Sequence, residues 1–391
     1  MIARIIVPIV LVFILCDVYI DRCLLSRQEH RRTLKRTLWF VQSVLMLGYA
    51  IMLASSRSFA PVRVELLNWF LLLLGVWALP KLAFTVCSLL GRWVCAGCRP
   101  KRNSGNLVGV AAGAAIAALT VYGYTVGFGK LRVRHVTYES ADLPEAFDGY
   151  RIVQFSDAHV GTYGQEKLHL LAAAVDSINA QHADAVVFTG DLQNMQPSEL
   201  APCRELLKSL KAPDGVFSIL GNHDYAYYLN ADKPTMERKC REMVEAQKAM
   251  GWTLLMNGNR VVRRGGDSIV VAGMEYEGKS VKVPSRGDIR RTLAGVRQDS
   301  AFVLMLQHDP TSWSTDILPH SKAQLTLSGH THGGQLELFG WSPVALLYDQ
   351  WDGMYYSGSR ALFVSTGVGG FVPFRIGCPG EIVVVQLKRK K

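Results

Sequence analysis

The chain has 391 residues, 49% of them hydrophobic and 19% charged, with a formal net charge of +11 and a mean hydropathy of +0.14. That length buries a full core and, at about 150 residues per domain, allows two to three units; so few charges on so apolar a chain exclude a disordered protein. Residues 1–129 hold 14 Lys/Arg against 4 Asp/Glu, whereas residues 130–391 hold 29 against 28, so the basic excess marks membrane flanks and no nucleic-acid partner is expected.

Four apolar runs come first, each near the roughly 20 residues that a membrane helix needs. They are Ile5 to Ile20, broken by Asp17; Leu38 to Ser55; Leu66 to Leu90, broken at Pro80-Lys81; and Leu107 to Phe128, whose Gly and Ala residues are spaced for close helix packing. A signal peptide is the rival reading of the first run, but it lacks an A-x-A-like site and three more runs follow. Residues 21–37 carry Arg22, Arg27, Arg31, Arg32, Lys35 and Arg36, and residues 91–105 carry Arg92, Arg99, Lys101 and Arg102. The link between the second and third runs has only Arg57 and Arg63. The positive-inside rule then places the first and third loops in the cytoplasm and everything after the fourth run outside, although Lys130, Arg132 and Arg134 follow that run directly. The expectation is a membrane domain over 1–129, multi-pass in a bacterial inner or plasma membrane, with residues 130–391 on the periplasmic or extracellular face. Of 8 cysteines only Cys203, Cys240 and Cys378 lie beyond it, so no disulfide framework is implied. Cys95-Ala-Gly-Cys98 has no second pair and reads as an ordinary loop.

From Lys130 the pattern changes. Leu131, Val133 and Val136 suggest a short extended run, and Tyr150–Phe155, Ala185–Thr189 and Val216–Leu220 read as buried strands. Helical spacing marks Lys167–Ile178, Leu200–Leu210 and Met236–Met250. Strand-like segments follow at Val261–Val262, Ser268–Ala272, Ala301–Leu306, Gln324–Leu327, Leu362–Ser365 and Ile382–Leu387. Alternating elements followed mostly by strands imply a layered α/β sandwich with two sheets.

The polar clusters fall where these strands end. Asp157-Ala-His159, Gly190-Asp191, Gly221-Asn222-His223-Asp224, His308 and Gly329-His330-Thr331-His332 each follow an apolar strand, the edge where open α/β folds bind ligands. Carboxylate, amide and imidazole without thiolate suit Mn, Fe or Zn. The i, i+2 spacing of Asp157 with His159, and of His330 with His332, would send each pair to one side of an extended exit segment. Glycines 190, 221 and 329 would let the backbone turn tightly there.

These clusters, in this order, resemble the calcineurin-like metallophosphoesterases, in particular a membrane-attached bacterial branch. The resemblance covers about residues 150 to 391 and also takes in Gln307-His308-Asp309-Pro310, Gly333-Gly334-Gln335 and Val364-Ser365-Thr366-Gly367. It departs at Asn194, where the family often has an acidic residue. It implies a four-layer α/β/β/α sandwich behind the α-helical membrane domain, and two divalent ions (Mn, Fe or Zn) that clamp a phosphate while a water attacks in line. Asp157, His159 and His332 would hold one ion and Asn222, His308 and His330 the other, with Asp191 bridging. His223 would protonate the leaving oxygen or stabilise the transition state, and Asp224 would orient it.

After the last His comes an apolar, aromatic stretch from Leu336 to Trp351, and Tyr225, Tyr227 and Tyr228 follow His223. These are either packing of a long insertion or a rim that accepts acyl chains beside membrane lipids. The leading reading is a membrane-anchored phosphoesterase acting on a phosphorylated, lipid-linked substrate, by a phosphate ester or pyrophosphate bond. An enzyme like the UDP-2,3-diacylglucosamine pyrophosphatases of lipid A synthesis would need a cytoplasmic catalytic domain. A non-enzymatic membrane scaffold is the third alternative.

Overall fold

The computed structural model describes residues 12–25, 32–55, 64–95 and 103–390. The expectations on residues 5–11, on Arg27, Arg31, Arg57, Arg63, Arg99, Lys101 and Arg102, and on Cys98 lie outside the described residues. The chain divides into two compact units, Met1–Thr125 and Val126–Lys391.

In the first unit, Thr33–Leu53, Glu65–Val94 and Ser104–Gly129 are long and apolar enough to cross a membrane, and residues 12–20 are also helical. Pro80 does not break its helix. The turn before it, Leu74–Ala78, widens so that the Leu79 N–H reaches the Leu74 carbonyl, which makes room for a ring that has no N–H of its own. The charges that interrupt two apolar runs pair with each other. Buried Lys81 donates from Nζ to Asp17 Oδ1 at 2.7 Å and to Ser43 Oγ at 3.1 Å, and the Ser43 hydroxyl donates to Asp17. Ionisable groups persist among apolar helices in this paired form. A Cβ on Gly109 would stand 2.9 Å from Phe84 Cα, and one on Gly113 3.1 Å from the Pro80 carbonyl oxygen, so small residues set the separation of these helices.

The second unit holds two six-stranded sheets. Its strands are β1 (Leu131–Ser140), β2 (Arg151–Phe155), β3 (Ala185–Phe188), β4 (Val216–Ser218), β5 (Thr253–Leu254), β6 (Gly258–Arg264), β7 (Asp267–Gly273), β8 (Phe302–Leu306), β9 (Leu325–Ser328), β10 (Gly353–Ser357), β11 (Arg360–Val364) and β12 (Gly380–Arg389). One sheet has the order β1-β12-β2-β3-β4-β5 and the other β10-β11-β9-β8-β7-β6. Period-two alternation sorts the side chains into layers. Ile152, Val187 and Phe217 pack between the sheets with Val271, Leu304 and Leu327. Val153, Val186 and Phe188 face the helices Leu168–Asn179 and Lys233–Ala249, through Leu171, Val175 and Met243. The far face of the second sheet packs on Leu293, Trp313 and Ile317. The order is therefore α/β/β/α.

β1, expected as a short extended run, pairs with β12 over all ten of its residues; Arg132, Arg134 and His135 mask its length because it lies at a sheet edge. The short β5 and β10 were not marked in the sequence. β10 arises inside the insertion and is held by β11.

Candidate metal centre

The ends of β2, β3, β4, β8 and β9 bring Asp157, His159, Asp191, Asn222, His308, His330 and His332 together. Ligand atoms lie within 4.8 Å of one another in three groups: Asp157, His159 and His332; His159, Asp191 and His223; and Asp191, His308 and His330. Asp191 Oδ2 is 3.2 Å from His308 Nε2 and 3.6 Å from His159 Nε2. Asp157 Oδ1 is 3.5 Å from His332 Nε2. His308 Nε2 also lies 3.0 Å from Asn222 Oδ1 and 3.2 Å from His330 Nδ1. The Thr189 carbonyl, 2.7 Å from His308 Nδ1, turns that Nε2 toward the cluster.

The extended exit segments expected at Asp157–His159 and His330–His332 are not what forms. Asp157 (φ 53°), His159 (45°), Asp191 (63°), His330 (74°) and His332 (53°) are all left-handed. Each such residue costs about 1–2 kcal/mol and persists only where its surroundings over-determine it. Here backbone bonds supply that constraint: Asp157 N–H donates to the Gly190 carbonyl at 2.9 Å, His159 N–H to Asp191 at 3.1 Å, and Gly369 N–H to Asp157 at 3.1 Å. Of the three glycines, only Gly190 needs its left-handed freedom (φ 99°). Gly221 is needed for space, because a Cβ there would stand 2.5 Å from the Asp191 backbone nitrogen.

Asp224 makes no hydrogen bond to the His223 ring; its partners are backbone N–H groups. An acid three residues into a helical turn reaches back to the N–H that opens the turn, and Asp224 Oδ2 accepts from Gly221 N–H at 2.9 Å. It also accepts from Asp191 and Leu192 N–H, each at 2.9 Å, and so ties two ligand loops together. The carbonyl of Asn194, 2.7 Å from His223 Nδ1, orients His223. Position 194 thus acts on His223 through its backbone, which no side-chain motif reveals, while its side-chain amide nitrogen donates to Thr162 Oγ1 at 2.8 Å. Its loop is folded over half-buried Glu199, which accepts from Asn194 N–H at 2.6 Å and Met195 N–H at 2.9 Å.

Burial pushes the His159 imidazole down to about 3 and holds His330, His332 and His223 below the ordinary imidazole value. Neutral imidazole is the form that binds metals, which suits His159, His330 and His332 as ligands. Burial acts on His308 in the same direction, but the Asp191 carboxylate outweighs it and lifts His308 to about 10. Burial opposes the charge on Asp191 as well, yet His308 and His223 keep it well below the carboxylate range. Burial raises Asp157 to about 6 and, together with Asp191, Asp224 to about 7.

Both ring nitrogens of His159 and Nδ1 of His332 are buried without a hydrogen-bond partner. Orphaned polar atoms of this kind are costly, and divalent cations would satisfy them. The donor set of two carboxylates, one amide and four imidazoles fits two such ions.

The sequence marked Tyr228, Asp309 and the stretch that holds Tyr348 without these roles, and gave no sign of Arg375. Tyr228 stacks on His223 at 4.1 Å and accepts from Asn222 Nδ2 at 2.8 Å. Tyr348 OH lies 2.9 Å from His330 Nε2, and Asp309 Oδ2 is 3.4 Å from that atom. Buried Arg375 donates to the carbonyls of Thr366, Gly367 and Cys378 at 2.8, 3.0 and 3.1 Å, bracing the loop behind Asp157. A lone Arg in a Gly/Pro-rich tail has no spacing signal.

Residues 3–128 match the family described as a probable calcineurin-like phosphoesterase transmembrane domain, and residues 150–334 match the calcineurin-like phosphoesterase family. An uncharacterized metallophosphoesterase of Bacillus subtilis (strain 168) is 31% identical over 72% of this chain and 95% of its own length. A transmembrane protein with metallophosphoesterase domain from Danio rerio is 32% identical over 70% of this chain and 61% of its own length. A solved dimetal phosphatase from Danio rerio is 12% identical with a TM-score of 0.36, covering 58% of this chain and 89% of that one. The chain belongs to the calcineurin-like phosphoesterase family. It is a metal-dependent phosphoesterase with a transmembrane domain.

Proposed function

We propose that this chain is a multi-pass, membrane-anchored two-metal phosphoesterase that cleaves a phosphate ester or pyrophosphate bond of a lipid-linked substrate. In this reading Asp157, His159 and His332 would hold one ion, Asn222, His308 and His330 would hold the other, and Asp191 would be shared. Manganese, iron or zinc ions bound there would polarise the phosphoryl oxygens and make a water acidic enough to attack. His223 would protonate the leaving oxygen or stabilise the transition state, with the Asn194 carbonyl and Tyr228 fixing its ring. The observation that carries this reading is the Asp191 carboxylate, within 3.6 Å of imidazoles from both clusters.

The catalytic unit lies on the periplasmic or extracellular face of a bacterial inner or plasma membrane in this reading, from the loop charges. Two of the basic residues after the last span do not argue against it. Arg132 is ion-paired with Glu381 at 2.8 Å and Arg134 with Asp352 at 2.6 Å, within the second unit. The test is to load the purified full chain with Mn²⁺ and measure phosphate release from phospholipids and nucleotide-sugar lipids, with cysteine labelling of residues after 130 in intact cells. Turnover of a lipid substrate with outward labelling supports the proposal. Cytoplasmic labelling with cleavage of the UDP-diacylglucosamine pyrophosphate would replace it with the lipid A pyrophosphatase reading.

A further inference from the structure

The insertion after His332 does not pack its apolar residues away. Leu338 and Trp341 pair across a two-residue turn, with N–H to carbonyl distances of 2.9 and 3.1 Å. Both turn residues, Phe339 (φ 55°) and Gly340 (φ 78°), are left-handed. This hairpin turn ordinarily takes Asn-Gly or Gly-Gly. A phenylalanine there bears conformational strain, and at 107% exposure it gains no burial in return. Trp341, Leu346 and Leu347 are 52%, 77% and 69% exposed. A second loop beside them carries Val281, fully exposed at 106%, between Lys279 and Lys282. Lys279 Nζ lies 5.8 Å from the Tyr348 ring, and Lys282 Nζ 5.0 Å from the Tyr228 ring. Aromatic and aliphatic tips flanked by lysines suit the boundary between lipid headgroups and acyl chains.

We infer that the Phe339 hairpin and the Leu346-Leu347 turn form an interfacial surface that enters an anionic phospholipid bilayer. The occupant is taken as a bilayer because the same chain carries helices long and apolar enough to cross one, joined to β1 through only residues 126–130. The lysines match the negative headgroups of an anionic phospholipid. Tyr348 follows Leu347 directly and meets His330 Nε2 at 2.9 Å, so the segment that enters lipid also positions a side chain of the metal centre. The surface would seat the site over a lipid-linked phosphate. That last consequence rests on the proposed substrate class; insertion itself does not.

The experiment uses the full chain, one copy per nanodisc of phosphatidylcholine and phosphatidylglycerol. A nitroxide is introduced at 339 through a non-natural amino acid, with a second labelled protein carrying it at Asp299. Collision rates with oxygen and a water-soluble nickel complex report depth. The oxygen-to-nickel ratio at 339 is expected to exceed that at 299 several-fold. It should fall when phosphatidylglycerol is omitted or when Lys279→Glu and Lys282→Glu are combined. Equal ratios at 339 and 299 in anionic discs would overturn the inference and leave a protein partner or a second copy as the occupant. Because this readout needs no turnover, failure of the substrate panel would leave it standing, and failure of insertion would leave the phosphoesterase reading standing.

Discussion

His223 and Tyr228 stack with ring centroids 4.1 Å apart and planes 11° apart, while the Asn194 carbonyl lies 2.7 Å from His223 Nδ1. The stack fixes the plane of the imidazole and the hydrogen bond fixes its rotation, which leaves Nε2 for the substrate. His223→Ala should retain two metals and lose about 10²- to 10⁴-fold in kcat, and less on a nitrophenyl ester, whose leaving group needs little protonation. Metal analysis and kcat on both substrate types check this. Loss of a metal would make His223 a ligand. Equal losses on both substrates would favour transition-state stabilisation over proton donation.

Asp224→Asn should behave differently. The carboxylate accepts from the N–H groups of Asp191, Leu192 and Gly221, and an amide can accept with only one of its two heavy atoms. The variant should lose about 2–4 kcal/mol of stability, and metal affinity should fall with it, as seen by melting with and without Mn²⁺. A fully stable variant that keeps both metals and loses only kcat would restore the role of orienting His223.

Much of this site was legible because strand ends and ligand types appear in linear order. Asp157, Asp191, Asn222, His308 and His330 each stand two to four residues beyond a strand of unbroken burial or nearly so. The left-handed backbone at five ligand positions was not legible, because Asp and His carry only a weak preference for it. Asn194, Tyr348 and Arg375 act through a carbonyl, a distant insertion and a carbonyl-rich loop, which only the tertiary fold brings near. The same holds in the membrane unit. Asp17 and Lys81 looked like two separate defects 64 positions apart and form one buried pair.

That pair makes its own prediction. Lys81→Met would strand the Asp17 carboxylate among apolar helices and should cost about 3–5 kcal/mol. The double variant Asp17→Asn with Lys81→Met should recover most of the loss. Unfolding of the chain in bicelles measures both, and equal stability of the single and wild-type chains would show the pair to be unimportant.

Metal loading should be linked to protons through His308. Asp191 keeps that imidazole protonated, up to about 10, so near pH 7 an arriving ion must displace the proton. Affinity should rise with pH, by about tenfold per unit for each proton displaced. Calorimetric titration with Zn²⁺ in two buffers of different ionisation enthalpy reads the released proton. No dependence on the buffer would contradict the assignment of His308 as a ligand.

The most direct measurement is metal content per chain in Asp191→Asn beside the unaltered protein, both loaded with Mn²⁺ and desalted. Asp191 Oδ2 stands 3.2 Å from His308 Nε2 and 3.6 Å from His159 Nε2; a shared ligand predicts two ions in the unaltered chain and one or none in the variant, with phosphoesterase activity lost in step. Two ions retained at unchanged affinity in Asp191→Asn would contradict the dinuclear centre built around this carboxylate.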